Sequence, residues 1–281
     1  IDIPINNQVL TQVSEKNRIK KILMKFILLI PAHLNSKRLK KKVLIKIDNL
    51  SLIEHVRRRA ILLNIFEEIF VVTPNNEIKN EVEKYGGKVL ISKNKHLSGT
   101  SRVGEVLRNI KSSRIIILFA DELLIDPLVL RNFAKIIAKD KNSDAWNLTS
   151  DNIKKKELSM KSIVKCIIGK KNYIVDFTRN IKKKSLYKKF KIHKSIGILC
   201  YKKNVLMKLI DFTSSKNEKT QKIEQFKLIE NGFSLRSIDT KFNLPSVNTK
   251  KELDYCLQYL HSNYYQKKVL KRIHSIKLNE K

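Results

Sequence analysis

Residues 26–42 read FILLIPAHLNSKRLKKK and join a short apolar run, Phe26–Ile30, to a loop rich in positive charge. The run ends at Pro31, and a second apolar stretch with helical spacing follows over residues 52–63. A buried strand that leads through a basic loop into a helix is a common way to hold a phosphorylated ligand, because loop amides and fixed cations meet there. A solvent-exposed loop in a lysine-rich chain would have the same composition, so the loop alone assigns no function.

Strand-like and helix-like segments alternate through the first half of the chain. Apolar runs predict strands at 26–30, 68–73, 88–92 and 114–120, and amphipathic periodicity predicts helices at 52–63, 77–85, 101–110 and 127–138. This order predicts an α/β fold with an open, mainly parallel sheet and helices on both faces. Ligands of such sheets bind beyond the carboxyl ends of the strands, so the loop Pro31–Lys42 and the acidic pair Asp121–Glu122 are expected around one crevice.

The second half has a more mixed pattern. Strands are expected at 162–168, 173–178, 195–201 and 234–238, and helices at 205–210, 223–231 and 253–260. We therefore expect a smaller, β-rich part beside the first half, with no flexible linker between them.

The composition limits the class of protein. The chain has 281 residues, 42% of them hydrophobic, and its apolar runs are far shorter than the ~20 residues that span a membrane. With no evident secretory signal, these features predict a cytoplasmic protein without a membrane segment. Three cysteines without a CxxC pair argue against a disulfide framework or a zinc site.

The formal net charge of +33 makes a basic nucleic-acid-binding protein the alternative from another class. The excess is mostly lysine, it is spread along the chain, and its clusters do not alternate with aromatic residues. Proteins that bind single strands stack bases on aromatic side chains, so this distribution weighs against nucleic acid as the partner.

Short motifs form an ordered series between about residues 24 and 260. The series contains the segments 30–32, 38–39, 52–56, 95–102, 164–165, 177–179, 197–198 and 224–225, together with Ser36, Lys42, Thr73, Tyr201 and Glu218. In this order it resembles the signature of the 3-deoxy-manno-octulosonate cytidylyltransferase family. Each piece alone is weak, but Ser98-Gly99-Thr100 and the order of the series are specific together.

The resemblance implies an enzyme that transfers CMP from CTP to a 3-deoxy-ulosonic sugar acid and releases pyrophosphate. It implies Mg²⁺ as the cofactor, a nucleotide-diphospho-sugar-transferase-like fold, and a homodimer that pairs through the smaller part. The product would supply surface glycan or lipopolysaccharide synthesis. A nine-carbon, neuraminate-like acid as the substrate, and a relative that binds nucleotide without turnover, stay open as alternatives.

The resemblance also implies roles for individual residues. Arg38, Lys42 and Asp121 would be catalytic, with the two cations on the triphosphate and Asp121 on Mg²⁺. The nucleotide would contact Pro31, Ala32, His33, Arg38, Lys42, Thr73, Ser98, Gly99, Thr100 and Arg102. The sugar acid would contact Thr178, Arg179, Ser195, Gln221, Glu224 and Gln225. Arg179 would be the partner of the substrate carboxylate, although it could equally be one more surface base.

The chain departs from the family pattern at residues that bear on activity. His33 stands where the family has Arg, Phe119 where it has Gln, Ser195 where it has His, and Gln221 where it has Glu. Asn248 replaces an Asp that would be the second carboxylate on the metal. An amide oxygen is still a ligand but adds no negative charge, so we expect Mg²⁺ to be held weakly and to depend on the CTP phosphates.

These assignments divide the chain into three regions. Residues 1–23 are polar and irregular, and we expect an extension outside the fold. Residues 24–265 are expected to form one domain, with a nucleotide-binding part at 24–144, a sugar-binding and dimerisation part at about 145–240, and a closing segment at 241–265. Residues 266–281 are expected to be a basic tail.

Overall fold

A computed structural model describes residues 26–94, 96, 98–181 and 189–276 of the chain. The predicted extension 1–23 lies outside the described residues, and so do residues 277–281 of the predicted tail. Within the described part of the chain, no helix has the length and apolar character needed to cross a membrane.

The elements follow one another along the chain with short connections. The strands are β1 (Phe26–Pro31), β2 (Lys46–Ile47), β3 (Leu50–Ser51), β4 (Phe66–Thr73), β5 (Lys88–Ile91), β6 (Arg114–Leu118), β7 (Ala145–Ser150), β8 (Lys165–Ile168), β9 (Ile174–Thr178), β10 (Lys191–Lys202) and β11 (Leu235–Thr240). The α-helices are α1 (Leu52–Ile61), α2 (Asn76–Glu83), α3 (Gly99–Val106), α4 (Pro127–Lys139), α5 (Lys203–Asp211), α6 (Lys216–Gln221), α7 (Phe226–Glu230), α8 (Lys250–Ser262) and α9 (Tyr264–His274).

One sheet organises the molecule in the order β11-β7-β10-β6-β1-β4-β5. Strand β1 pairs in parallel with β4 and β6, and β4 pairs in parallel with β5. Strand β10 runs antiparallel to β6 and β7 and continues into a pairing with β8, which in turn pairs with β9. The predicted open, mainly parallel sheet with a smaller β-rich part is confirmed.

The side chains of β1 point alternately to the two faces of the sheet, and helices cover both faces. Leu28 and Ile30 pack into a core with helices α1, α2 and α4, whereas Ile27 and Leu29 pack into a second core with α3 and α5. Successive side chains of a strand point to opposite faces, so a continuous apolar run requires helices on both sides. The carboxyl ends of β1, β4 and β6 consequently meet at one edge, which helices leave open.

Strand β7 was not predicted, because its sequence AWNLTS is neither a continuous apolar run nor a regular alternation of apolar and polar residues. The buried amide of Asn147 is satisfied by the carbonyls of Ile196 and Ile198, at 3.0 and 3.1 Å from its Nδ2 atom. Hydrogen bonding therefore allows a polar residue to occupy the centre of the sheet.

The predicted basic tail, residues 266–281, begins inside a packed helix. Val269 and Ile273 on α9 are buried against Leu50, and Arg58 on α1 donates to the carbonyl of Ile273 at 2.9 Å. The spacing of these two apolar residues by four is that of one helix face, a signal that the abundance of lysine obscured.

Candidate active site

A cavity of about 1640 Å³ opens beyond the carboxyl ends of β1, β4 and β6. Residues that follow these three strands, His33, Asn75 and Asp121, all line it. A pocket for one small ligand typically occupies roughly 300–1,000 Å³. The cavity is therefore large enough for two ligands side by side.

The loop after β1 is fixed by backbone contacts to the next strand. The amide of Ala32 donates to the carbonyl of Val72 at 2.9 Å, and the amide of Leu34 donates to Asn75 Oδ1 at 3.1 Å. Pro31 and Ala32 are buried, so only their backbone is placed for a ligand. Partial burial, followed by the charges of Arg102 and Lys42, lowers the pKa of His33, which is therefore neutral at pH 7.

Lys42 and Asp121 meet at the centre of this edge. Lys42 Nζ lies 2.8 Å from Asp121 Oδ2, 2.9 Å from the carbonyl oxygen of Val247 and 3.0 Å from Asn248 Oδ1. The backbone holds this arrangement, because the amide of Val247 donates to the carbonyl of Asp121 at 2.8 Å. Asp121 and Asn248 line the cavity, whereas Lys42 reaches them from outside its lining.

These oxygen atoms fit the donor chemistry of Mg²⁺, which prefers carboxylate and carbonyl oxygen. A carboxylate, an amide oxygen and a backbone carbonyl already converge on one cationic atom, Lys42 Nζ. Together these three oxygen donors carry a single negative charge, that of Asp121. No group of three or more His, Cys, Asp or Glu residues suited to a metal occurs in the described ranges. Phosphate oxygens would therefore have to complete the coordination.

Arg38, the third residue expected to be catalytic, has an exposed side chain and does not line the cavity. It nevertheless lies close enough to Arg179 that its charge, after burial, lowers the pKa of Arg179. Two guanidinium groups that repel each other near one opening favour an anion between them.

The amino-terminal end of α3 forms another wall. Ser98 caps the helix, since its Oγ accepts from the amide of Ser101 at 3.1 Å, and this cap explains why the helix begins two residues before the predicted start. A Cβ atom on Gly99 would lie 2.7 Å from the Phe119 ring and 3.0 Å from Pro31 Cγ. Glycine is therefore required there by the close approach of α3 to the strand ends. Arg102, which is buried, lines the same wall.

The opposite wall comes from the second half of the chain. Arg179 donates from Nη1 to the carbonyl of Lys161 at 3.1 Å, from Nη2 to the carbonyl of Lys222 at 3.0 Å, and from Nε to the carbonyl of Gln221. Ser195 donates to Asn147 Oδ1 at 2.9 Å. Arg179, Ser195, Glu224 and Gln225 line the cavity.

One contact joins the two walls directly. Thr100 on α3 donates from Oγ1 to Glu224 Oε1, across 124 positions of the chain. Burial raises the pKa of Glu224, and the other carboxylate oxygen of this residue is buried with no hydrogen-bond partner among the described residues. The nucleotide side and the expected sugar side therefore form one continuous site.

Eight expected contact residues do not line the cavity: Pro31, Ala32, Arg38, Lys42 and Thr100, and in addition Thr73, Thr178 and Gln221. Thr73 is fully buried and its Oγ1 accepts from the amide of Asn75 at 3.2 Å. Thr178 donates to the carbonyl of Asn180 at 3.2 Å, and Gln221 offers its backbone carbonyl to Arg179. In this structure these last three residues support the walls, and their contact with ligand stays a prediction.

Glu122, the second member of the acidic pair expected at the crevice, lines the cavity, and so does Lys194, which no motif selected. Glu122 Oε1 accepts from the amide of Gly197 at 3.0 Å and from Ser246 Oγ at 2.8 Å. Burial, followed by the charge of Asp121, raises the pKa of Glu122 to about 7. Lys194 Nζ lies 3.3 Å from Glu157 Oε1 and 2.7 Å from Asn243 Oδ1. In the sequence, the acidic pair Asp121–Glu122 was the feature that indicated Glu122, and nothing comparable indicated Lys194.

The cavity carries many cations. Its lining includes Lys37, Lys93, Arg102, Lys154, Lys156, Arg179, Lys194, Lys219, Lys222 and Lys251. Six acidic residues line it as well, Asp121, Glu122, Glu157, Glu218, Glu224 and Glu252, so the lining has an excess of positive charge rather than a single sign. An excess of one sign attracts ligands of the opposite sign. A polyanion such as a triphosphate is the ligand class that this lining favours.

Comparison with known proteins now identifies the family. The sequence profile described as cytidylyltransferase matches residues 27–241. The chain belongs to the cytidylyltransferase family. It is 31% identical over 237 residues to the 3-deoxy-manno-octulosonate cytidylyltransferase of Chlorobium limicola. The matched region covers 82% of this chain and 95% of that protein. The protein of the same name from Fusobacterium nucleatum is 29% identical, over 85% of this chain and 98% of its own length.

Solved structures agree with this family assignment. The structure of CMP:2-keto-3-deoxy-manno-octonic acid synthetase complexed with CTP matches with a TM-score of 0.78 and 27% identity, over 84% of this chain and 98% of that one. The inositol-1-phosphate CTP transferase of T. maritima matches with a TM-score of 0.61 at 15% identity, which supports the fold alone. The predicted family and the predicted nucleotidyltransferase-like fold are confirmed.

Proposed function

We propose that this cytidylyltransferase transfers CMP from CTP to a 3-deoxy-ulosonic acid, 3-deoxy-manno-octulosonate or a close analogue, and releases pyrophosphate. The observation that carries the proposal is the pair Lys42–Asp121, held at 2.8 Å beside a cation-lined cavity with room for two ligands. The relatives named for this reaction match over nearly their whole length. Nothing in the spread of the lysines favours nucleic acid as an alternative partner.

The reaction requires positioning and charge neutralisation rather than covalent catalysis. The anomeric hydroxyl of the sugar acid attacks the α-phosphorus of CTP, the bond to the bridging oxygen breaks, and pyrophosphate leaves with the electron pair. Lys42 and Arg102 lie at the nucleotide side, where their charges would stabilise the negative charge on the phosphates. Neutral His33 would orient the triphosphate through a hydrogen bond without adding a cation.

Mg²⁺ is proposed as the cofactor, with Asp121 as its carboxylate and Asn248 as a neutral oxygen ligand. When bound, the ion would neutralise triphosphate charge and polarise the phosphoryl oxygens. The protein supplies only one negative charge at this point, so the affinity of the ion depends on the nucleotide.

The sugar acid is proposed to bind against Arg179, Ser195, Glu224 and Gln225. Ser195 stands where the family has His, and its hydroxyl is oriented by buried Asn147. A relative from Shewanella pealeana, 28% identical over 83% of this chain, is named as an 8-amino-3,8-dideoxy-manno-octulosonate cytidylyltransferase. Amino-substituted acids therefore belong among the candidate substrates, next to the nine-carbon acids.

A homodimer is proposed through the smaller sheet. Met160, Val175 and Phe190 expose 43%, 47% and 42% of their surface on or beside strands β8 to β10. Among the strands that the structure describes, β9 pairs with β8 alone, and one isolated bridge joins Tyr173, just before β9, to Arg236, so the other edge of β9 is available to a partner. We propose a cytoplasmic location, where CTP and the acid are available, and a product that supplies surface glycan synthesis.

Pyrophosphate release tests the proposal. Purified protein with CTP and Mg²⁺ is given 3-deoxy-manno-octulosonate, its 8-amino analogue, a neuraminate and no acid, and pyrophosphate is measured with a coupled assay. Release that depends on an eight-carbon acid is expected. Pyrophosphate release with the neuraminate alone would mean that the substrate is a nine-carbon acid. CTP binding without pyrophosphate release with any acid would identify a relative that has lost turnover.

A further inference from the structure

The centre of the site contains a cation supplied by the protein itself. Lys42 Nζ lies within 3.0 Å of three oxygen atoms, from Asp121, Val247 and Asn248. An ammonium group donates three hydrogen bonds, so this geometry satisfies it fully. The side chains of Lys42 and Asp121 are only 13% and 20% exposed, which reduces the competition of water for this contact.

Asn248 is the residue that makes this arrangement electrically balanced. With one carboxylate and one ammonium the cluster is neutral, whereas a second carboxylate at 248 would leave it with a negative charge. Glu252 is also next to the cluster, where its Oε2 atom accepts from the amide of Asn248 at 2.9 Å and from the hydroxyl of Thr249 at 3.1 Å. His33 and Arg102 are close on the nucleotide side, and Glu122, whose pKa burial raises, points its Oε1 atom to Gly197 and Ser246.

From this geometry we propose that Lys42 occupies the divalent-cation position in the nucleotide-free protein, so that the free chain has no divalent site of its own. The divalent ion then enters only as a complex with the nucleotide, and Lys42 leaves Asp121 and Asn248 for the phosphates. The inference rests on the proposed function for the identity of the nucleotide. The ammonium group of Lys42 would neutralise Asp121 between turnovers, and the divalent ion would replace it when the nucleotide binds.

Local structure supports an exchange of this kind. Lys42 begins a short 3-10 helix, Lys42–Leu44, directly after Lys41, whose backbone has a positive φ of 48°. Lys41 itself forms an exposed ion pair with Glu77 at 2.7 Å. The backbone of Lys42 is thus held by its neighbours, and movement of its side chain alone is sufficient to release the three oxygen atoms.

Binding of Mn²⁺, followed by electron paramagnetic resonance and by calorimetry, tests the inference without turnover. The full chain is compared with Lys42→Met, Asn248→Asp and the double variant, each without nucleotide. Wild type is expected to bind Mn²⁺ only weakly, with a Kd in the millimolar range. The double variant, with two carboxylates and no ammonium, is expected to bind about tenfold to a hundredfold more tightly, because ligand charge sets the affinity of such sites.

Lys41→Met is the matched control, since it removes the neighbouring ammonium, which pairs with Glu77 outside the site. It is expected to behave as wild type. Wild type with the α,β-methylene analogue of CTP is expected to bind Mn²⁺ together with the nucleotide. Circular dichroism and thermal unfolding of each variant establish that it is folded.

Two results would overturn the inference. One is Mn²⁺ binding by nucleotide-free wild type at the affinity of the double variant, and the other is a folded double variant that gains no affinity. Failure of the proposed function is a separate observation, because wild type would then release no pyrophosphate with any acid whatever its affinity for Mn²⁺.

Discussion

The side of the cavity proposed for the nucleotide and the side proposed for the sugar acid are built in different ways. On the nucleotide side, loops leave neighbouring parallel strands and are fixed by backbone bonds, such as Ala32 to Val72 and Val247 to Asp121. On the sugar-acid side, side chains hold separate segments together, as when Arg179 binds the carbonyls of Lys161 and Lys222. The sheet therefore fixes the position of the phosphate-neutralising charges, whereas the opposite wall depends on a few polar side chains that substitution can change.

The largest expected effect is on the nucleotide side. Asp121→Asn removes the single carboxylate beside Lys42 and should lower kcat/KM by about 10²-fold to 10³-fold, the cost typical of losing one preorganised electrostatic group. Pyrophosphate release gives the rate. Asp151→Asn, which breaks an exposed ion pair with Lys241, is the matched control and should stay within about twofold of wild type. Equal rates for both variants would contradict the central role of Asp121.

Arg179→Met should act mainly on the sugar acid. We expect the KM for the acid to rise about tenfold to a hundredfold, the range for losing a charge-assisted hydrogen bond, with a change of at most about threefold in the KM for CTP. Steady-state kinetics with each substrate varied in turn separate the two effects. Arg108→Met, on an exposed arginine, is the control. If both KM values rise together, Arg179 supports the whole cavity rather than the acid.

Thr100→Val tests the contact that joins the two sides. Glu224 would lose its donor, and a buried carboxylate without a partner is unfavourable, so we expect kcat/KM for both substrates to fall about tenfold. Thr240→Val is the control, because Thr240 only accepts from the amide of Phe242 at the end of β11. An effect on one substrate alone would mean that the two sides act independently.

The smallest expected effect is a pH dependence of stability at Lys165. This buried residue donates to the carbonyls of Met160, Ile163 and Arg179, and burial, followed by the charge of Arg179, lowers its pKa to about 8. Between pH 8 and about 10.4 the folded state then holds fewer protons than the unfolded state, so stability should rise with pH in this window.

Urea unfolding of wild type and of Lys165→Met at pH 7 and pH 9.5 measures this dependence. The difference in unfolding free energy between the two proteins should shift in favour of wild type at the higher pH. At pH 7 the variant should be less stable by about 1–3 kcal/mol, because three carbonyls lose their donor. A difference that is the same at both pH values would mean that the pKa of Lys165 is not lowered.

The sequence was sufficient for the sheet and its helices wherever apolar periodicity was strong, as in β1, β6 and α4. It was insufficient where polar contacts replace apolar ones, as for Asn147 in β7. Helix α6 was missed because it is polar throughout, although Ser215, whose Oγ accepts from the amide of Glu218 at 3.1 Å, is a capping signal that could have located it.

The position of His33, Asn75 and Asp121 at the cavity follows from the strand ends that they come after, whereas their contact with nucleotide stays a prediction. The contact of Lys42 with Asn248 was not predictable, since it spans 206 positions of the chain and depends on how α8 packs against the strand ends. The resemblance selected Arg179 and Glu224 as contacts of the sugar acid. It could not indicate that Arg179 would be bound to backbone carbonyls, because such contacts leave no pattern in the sequence.

Transfer of a labelled α-phosphorus tests most directly the claim that both sides form one site. CTP carrying ³²P at the α position is incubated with Mg²⁺, 3-deoxy-manno-octulosonate and the wild-type chain, and the products are separated. We expect the label in a CMP-sugar acid whose formation requires both substrates and is lost in Asp121→Asn. Label that stays in CTP while both substrates are shown to bind would contradict the account.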